Sequence, residues 1–146
     1  MPLPPNPLTL ERRVEFSQTD AAGLMHFSAY FTFMEAAEAE LFRRLGLSLL
    51  EMKDGMTCGF PRVDCQCKFR RALVFEDQVT IEMRIAEILA NRIHYAFTFL
   101  DPEGNLCARG SMTTACARRE TDGSLRSREL PDPVRSALQA WKNQHP

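Results

Sequence analysis

The sequence lacks the features that commit a chain to a membrane, to nucleic acid or to a metal. No apolar run approaches the roughly 20 residues that a spanning helix needs. Eighteen Lys and Arg stand against nineteen Asp and Glu, a formal net charge of -1, with a pI near 6.3. There is no overall positive field to collect nucleic acid or anionic lipid. The opening MPLPPNPLTL has neither the charged n-region nor the long apolar stretch of a secretory leader. Only three histidines occur: His26, His94 and His145 lie far apart, and Cys58, Cys65, Cys67, Cys107 and Cys116 include no CxxC pair. No zinc spacing assembles locally, so no metal site is expected. Five is an odd number of thiols for a disulfide framework. It points to reduced cysteines in a cytoplasmic protein, some of them buried as small hydrophobes.

What is present suits one domain. The 146 residues are 45% hydrophobic and 25% charged, long enough to bury a core without staples. Residues 1–8, with Pro2, Pro4, Pro5 and Pro7, are expected to form an extended arm, and 9–146 a single domain. Thr9 to Phe16 reads as a strand that breaks at Ser17–Gly23, a turn-rich loop. Ser28 to Leu45 reads as a helix, with Ser28 as its N-cap and Gly46 as its stop. On a wheel of about 100° per residue, Phe27, Tyr30, Phe31, Ala37, Leu41 and Leu45 fall within about 60° of Met34. Glu38 falls inside the same stripe and needs a partner, with Lys68, Arg70 or a residue of a second copy as candidates.

Beyond a polar stretch at 48–60, alternation of period two marks strands at 63–69, 79–85, 93–99 and 106–118, with Cys65 and Cys67 on the apolar side. Pro131 to Lys142 makes a short C-terminal helix. Short connections between consecutive strands imply an antiparallel sheet, and one helix against it is an α+β two-layer domain.

The junction of first strand and helix carries the chemistry. In Val14-Glu15-Phe16-Ser17-Gln18-Thr19-Asp20-Ala21-Ala22-Gly23-Leu24-Met25-His26-Phe27, a carboxylate and a glycine precede a helix N-terminus. The first amides of a helix have no intrahelical partner and carry positive dipole character. An acid beside free amides is what acyl transfer needs: the amides hold a developing oxyanion while the carboxylate attacks or activates water.

The stretch RVEFSQTDAAGLMHFSAYFTFMEAAE resembles the signature of the 4-hydroxybenzoyl-CoA thioesterase-like branch of the hotdog-fold superfamily. The match is dense over residues 13–38, and the element order agrees over about 9–130. The resemblance implies a hotdog, a long helix wrapped by a five-stranded antiparallel sheet, with protomers pairing as homodimers or dimers of dimers to form shared sites. It implies acyl-CoA hydrolysis to a free acid and CoA, with no cofactor. Asp20 matches the catalytic acid, Gly23 the glycine after it, and Phe27 the residue whose N–H polarises the carbonyl. Tyr30 and Glu35 match the helix tyrosine and acid, His26 and Ser28 flank the amide, and Arg126 falls near an arginine set by the CoA phosphates. Leu89, Ala90 and Asn91 replace a basic cluster of the 4-hydroxybenzoyl-CoA enzyme. Two other functions compete: a hotdog hydratase or dehydratase using His26, and a non-catalytic binder of acyl-CoA or another small ligand. Neither nucleic acid nor membrane is an expected partner.

Overall fold

The computed structural model describes residues 2–53 and 56–144; His145 lies outside them. Its centre is α1 (Phe27–Arg44), which runs along one face of a sheet. That sheet joins β1 (Leu8–Arg13), β5 (Gln78–Ile88), β6 (Arg92–Leu100), β7 (Leu106–Ala115) and β4 (Arg62–Phe69). They lie in the order β1-β5-β6-β7-β4, every neighbour antiparallel. This is the expected five-stranded hotdog, with α2 (Asp132–Asn143) as the short C-terminal helix.

Alternation supplies the inner face of the sheet. Ile81, Met83, Ile93, Tyr95, Phe97, Phe99 and Met112 are buried against Met34, Ala37 and Leu41 of the helix. Gly110 lets the two layers close up, because a Cβ there would collide with the terminal methyl of Met34. The helix begins one residue earlier than its pattern suggests. His26, not Ser28, is the N-cap, and its Nδ1 accepts the Ser28 N–H at 3.2 Å. Phe27, placed in the apolar stripe by the wheel, is 62% exposed. At this end of the sheet the ring contacts go to Tyr30, set edge-on between Phe69 and Phe99.

Three expectations change. β1 ends at Arg13: Val14 exchanges backbone hydrogen bonds with Asp77 and Glu76, and a 3-10 turn at Phe16–Gln18 follows. The long run 106–118 breaks at Cys116, whose N–H donates to Asn91 and whose carbonyl accepts from Arg128. The chain thereby changes sheets. β8 (Ala117–Arg119) joins β2 (Glu51–Lys53), β3 (Met56–Gly59) and β9 (Leu125–Ser127) in a second antiparallel sheet, order β2-β3-β8-β9. The stretch 48–60 therefore holds two short strands where a connection was expected. Thirdly, the apolar side of β4 is not core. Cys65 is exposed, Cys67 half-buried, and Val63 and Phe69 largely exposed. β4 is an edge strand, with β7 its single neighbour in the sheet.

The arm is tied down. Pro4 is buried, and the indole N–H of fully buried Trp141 is within 3.1 Å of the carbonyls of both Pro4 and Pro5. Asn6 returns a bond to the Trp141 carbonyl at 3.2 Å. Trp141→Phe keeps the ring and removes the donor, so urea denaturation should show a loss of about 0.5–1.5 kcal/mol for the missing hydrogen bond.

Candidate active site

The loop after β1 is a small hairpin. Thr19 bridges Met25, the Asp20 N–H donates to the Leu24 carbonyl at 2.8 Å, and the His26 N–H to that of Gln18 at 2.7 Å. Gly23 sits at φ +80°, a region that L side chains rarely adopt, but no atom lies within 4 Å of where its Cβ would be. Its positive φ serves the turn of the hairpin. Asp20 Oδ1 accepts the N–H groups of Ala22 at 2.9 Å and Leu24 at 3.1 Å. These bonds hold the carboxylate still and leave Oδ2 without a partner among the described residues. On the same hairpin, the Phe27 N–H opens α1 and likewise has no acceptor among the described residues. Apolar side chains rim this polar spot. Phe16 and Phe75 meet edge to face at 5.7 Å, and Leu24, Phe27 and Val74 are exposed beside them in the chain and across the Leu24–Val74 bridge.

The other candidates divide. His26 and Ser28 engage each other, Nδ1 lying 2.8 Å from the Ser28 hydroxyl as well as accepting its N–H. Acceptance at Nδ1 leaves the ring proton of neutral His26 on Nε2. Tyr30 is buried, which, with Cys107 and Cys67 nearby, pushes its hydroxyl up to about 12. Glu35 is exposed on α1, its carboxylate 3.6 Å from Arg62. Arg126 stands on β9, its Nε 3.6 Å from Glu120, and belongs to the second sheet, not to the Asp20 hairpin.

The sequence reading missed Arg62. Glu38, fully buried on α1, is met by Arg62 Nη2 at 2.5 Å, and neither Lys68 nor Arg70 is its partner. The alternation of β4 gives no hint of this, because a β-bulge intervenes. Arg62 lies opposite Thr114 and Asp64 opposite Thr113, so two steps on β4 match one on β7. The extra residue turns Arg62 onto the helix side. Its Nη1 also donates to the Phe60 carbonyl at 2.9 Å. Glu38 Oε2, the Tyr95 hydroxyl and Thr114 Oγ1 are buried there without a hydrogen bond. Beside this cluster runs an open groove of about 660 Å³, lined by Leu49, Leu50, Phe60, Ala39, Arg62 and Leu125 among others.

Burial pushes the Glu38 carboxyl up to about 7, against the downward pull of Arg62. Its folded value stands above the ordinary 4.5, so the native state binds this proton more tightly than the unfolded chain does. The contribution is fully present below pH 4.5 and is lost as pH rises through about 7. Urea midpoints of wild type and Glu38→Gln across that window should therefore move against the wild type as pH rises. A constant difference would show that Glu38 stays ionised throughout.

Known proteins resemble this chain in sequence and in fold. The profile of the Thioesterase-like superfamily matches residues 14–141. A 1,4-dihydroxy-2-naphthoyl-CoA hydrolase of Prochlorococcus marinus is 33% identical over 103 residues, 66% of this chain and 68% of that one. A 4-hydroxybenzoyl-CoA thioesterase of a Pseudomonas species is 31% identical over 83 residues, 55% of this chain and 58% of that one. Among solved structures, a 1,4-dihydroxy-2-naphthoyl-CoA thioesterase from Synechocystis superposes with a TM-score of 0.79 at 21% identity, over 95% of this chain and 98% of its own. A profile that spans α1, four of the five strands of its sheet and the Asp20 hairpin leaves one conclusion: this chain belongs to the thioesterase-like superfamily, and its fold is the hotdog.

Proposed function

We propose that the protein is an acyl-CoA thioesterase in which Asp20 acts on the thioester carbonyl and the Phe27 N–H holds the oxyanion. The observation that carries this reading is the hairpin itself: a carboxylate anchored through one oxygen, with the other free, beside an unclaimed helix N-terminal amide. The reaction follows one of two routes. Asp20 attacks the acyl carbon, coenzyme A leaves as a thiolate that picks up a proton, and water hydrolyses the mixed anhydride. In the other route Asp20 takes a proton from water as it attacks, and the same thiolate leaves. Both routes build negative charge on the carbonyl oxygen, where a fixed N–H dipole has its largest effect.

The apolar rim of Phe16, Leu24, Phe27, Val74 and Phe75 supports an acyl group with a sizeable apolar body. The similar enzymes named above act on aromatic acyl-CoAs, and such acyl groups are the first to screen. His26, Ser28, Tyr30, Glu35 and Arg126 remain proposed substrate contacts, with Arg126 offered to the CoA phosphates. The protein works as a homodimer or a dimer of dimers, a reading supported by the bare edge of β4. Its five cysteines are free thiols, which supports a cytoplasmic location. No helix among the described residues is long and apolar enough to cross a membrane.

A thiol-release assay over short, long and aromatic acyl-CoAs tests the reading. Asp20→Asn should lower kcat by about two to four orders of magnitude and move KM far less. His26→Phe should cost less than that. Retention of thiol release by Asp20→Asn together with its loss in His26→Phe would favour the hydratase-like chemistry instead. Binding of acyl-CoA without any thiol release would mark a non-catalytic binder.

A further inference from the structure

The half-buried arginine at the start of the edge strand β4 points to a further substrate contact, made across a pair of chains. β4 presents a free row of backbone donors and acceptors, and the outward side chains of its run 64–68 are exposed on both faces but for half-buried Cys67. Asp64, Gln66 and Lys68 lie on the face away from the helix, opposite Thr113, Ser111 and Arg109 of β7. Lys68 therefore stands beside a like charge within its own sheet and has no ion pair among the described residues. A second copy supplies what is missing. Antiparallel pairing about a two-fold axis through Gln66 sets Asp64 of each chain opposite the partner's Lys68, and Cys65 opposite the partner's Cys67. An axis normal to the sheet keeps both helices on one side, so this register preserves faces and pairs opposite charges twice.

The same operation joins the two ends of β4. Tyr30, in the first turn of α1, packs on Phe69, so the Asp20 hairpin sits over the Phe69 end of the strand. Arg62 lies at the other end, turned to the helix side by the bulge and held by Glu38. Antiparallel pairing brings the Arg62 end of one chain alongside the Phe69 end of the other. We infer that the partner's Arg62 enters each thioester site, where it binds a polar oxygen of the substrate next to the scissile bond. Its side chain is 29% exposed with N–H groups to spare, while Glu38 and the Phe60 carbonyl keep the guanidinium in place. The inference rests on Asp20 as the reacting group, since it places Arg62 with respect to that residue.

Two tagged chains test it, one Asp20→Asn and the other Glu38→Gln with Arg62→Gln, a pair of changes that leaves no stranded buried charge. The second homodimer should lose about ten- to a hundredfold in kcat/KM, the range of a charged hydrogen bond. The heterodimer, purified through both tags, should recover about half of the wild-type kcat, because one of its two sites combines an intact Asp20 with an intact partner arginine. A heterodimer no faster than the better homodimer, or a Gln/Gln homodimer with wild-type kcat/KM, overturns the inference. An Asp20→Asn homodimer of full activity would instead remove the Asp20 reading.

Cross-linking decides the pairing even if the Gln/Gln chain fails to fold. Copper–phenanthroline in air, with oxygen taking up two electrons and two protons per thiol pair, should join wild-type chains into covalent dimers. Opposite residues in an antiparallel pair have Cα atoms about 4.5–5.5 Å apart, within disulfide reach. Cys65→Ser or Cys67→Ser should each abolish the product. A cross-link that survives either change, or none in the wild type, overturns the register.

Discussion

The contact of α1 with the inner face of the sheet governs everything else in the molecule. Met34 lies over Gly110 of β7, and from that point the helix runs in both directions along the strands. Each large side chain buried in this contact contributes about 1.5–3 kcal/mol, so the helix has little freedom to shift or rotate. Its first turn is thereby fixed near Phe69 and Phe99, and its fourth over the start of β4. The chemistry at either end inherits this rigidity. A free amide at a helix N-terminus polarises a carbonyl only if it stays where the carbonyl arrives.

The Asp20 hairpin shows how a carboxylate is placed with few contacts. Apart from Met25, which is buried in the core, the loop is exposed, so burial orders it at one point only. Backbone bonds to Gln18, Leu24 and Leu73 order it as well, together with the Asx-type bonds from Asp20 itself. One carboxylate oxygen serves the loop and the other faces outward. Glu38 is the opposite case. Its carboxylate is buried, its Arg62 bond is short, and its second oxygen is unsatisfied beside two further orphaned hydroxyls. A buried pair of this kind gives weak support to stability, since desolvation consumes the Coulombic gain. The upward push on the Glu38 proton expresses that imbalance.

Much of this fold was legible in the residues. The 3.6-residue stripe of α1 and the period-two runs of β5, β6 and β7 are strong signals, because each has a single buried face that repeats over many residues. The Asp20–Phe27 junction was legible because an acid, a turn glycine and a helix start are local in sequence. What escaped notice depends on partners distant in the chain. The short strands at 51–53 and 56–59 carry no run long enough to alternate, and exist because Ala117–Arg119 pairs with one of them. The capping role of His26 arises from its Nδ1, where a serine hydroxyl was the expected acceptor.

Arg62 and β4 show the deeper limit of pattern reading. Alternation correctly assigned Cys65, Cys67 and Phe69 to the helix side, yet that side is only half covered. A period of two reports which residues share a face, and says nothing of whether the same chain covers it. One inserted residue then reverses the parity, so Arg62 joins the helix side although strict alternation places it outside. The bulge and the bare edge are therefore linked. Where β4 has no neighbour beyond it, a local distortion disrupts one ladder instead of two, and the strand can turn a charged side chain inward at its end. The feature hardest to read from sequence is thus placed where the chain has most room to alter its own pattern, at the open border of its sheet.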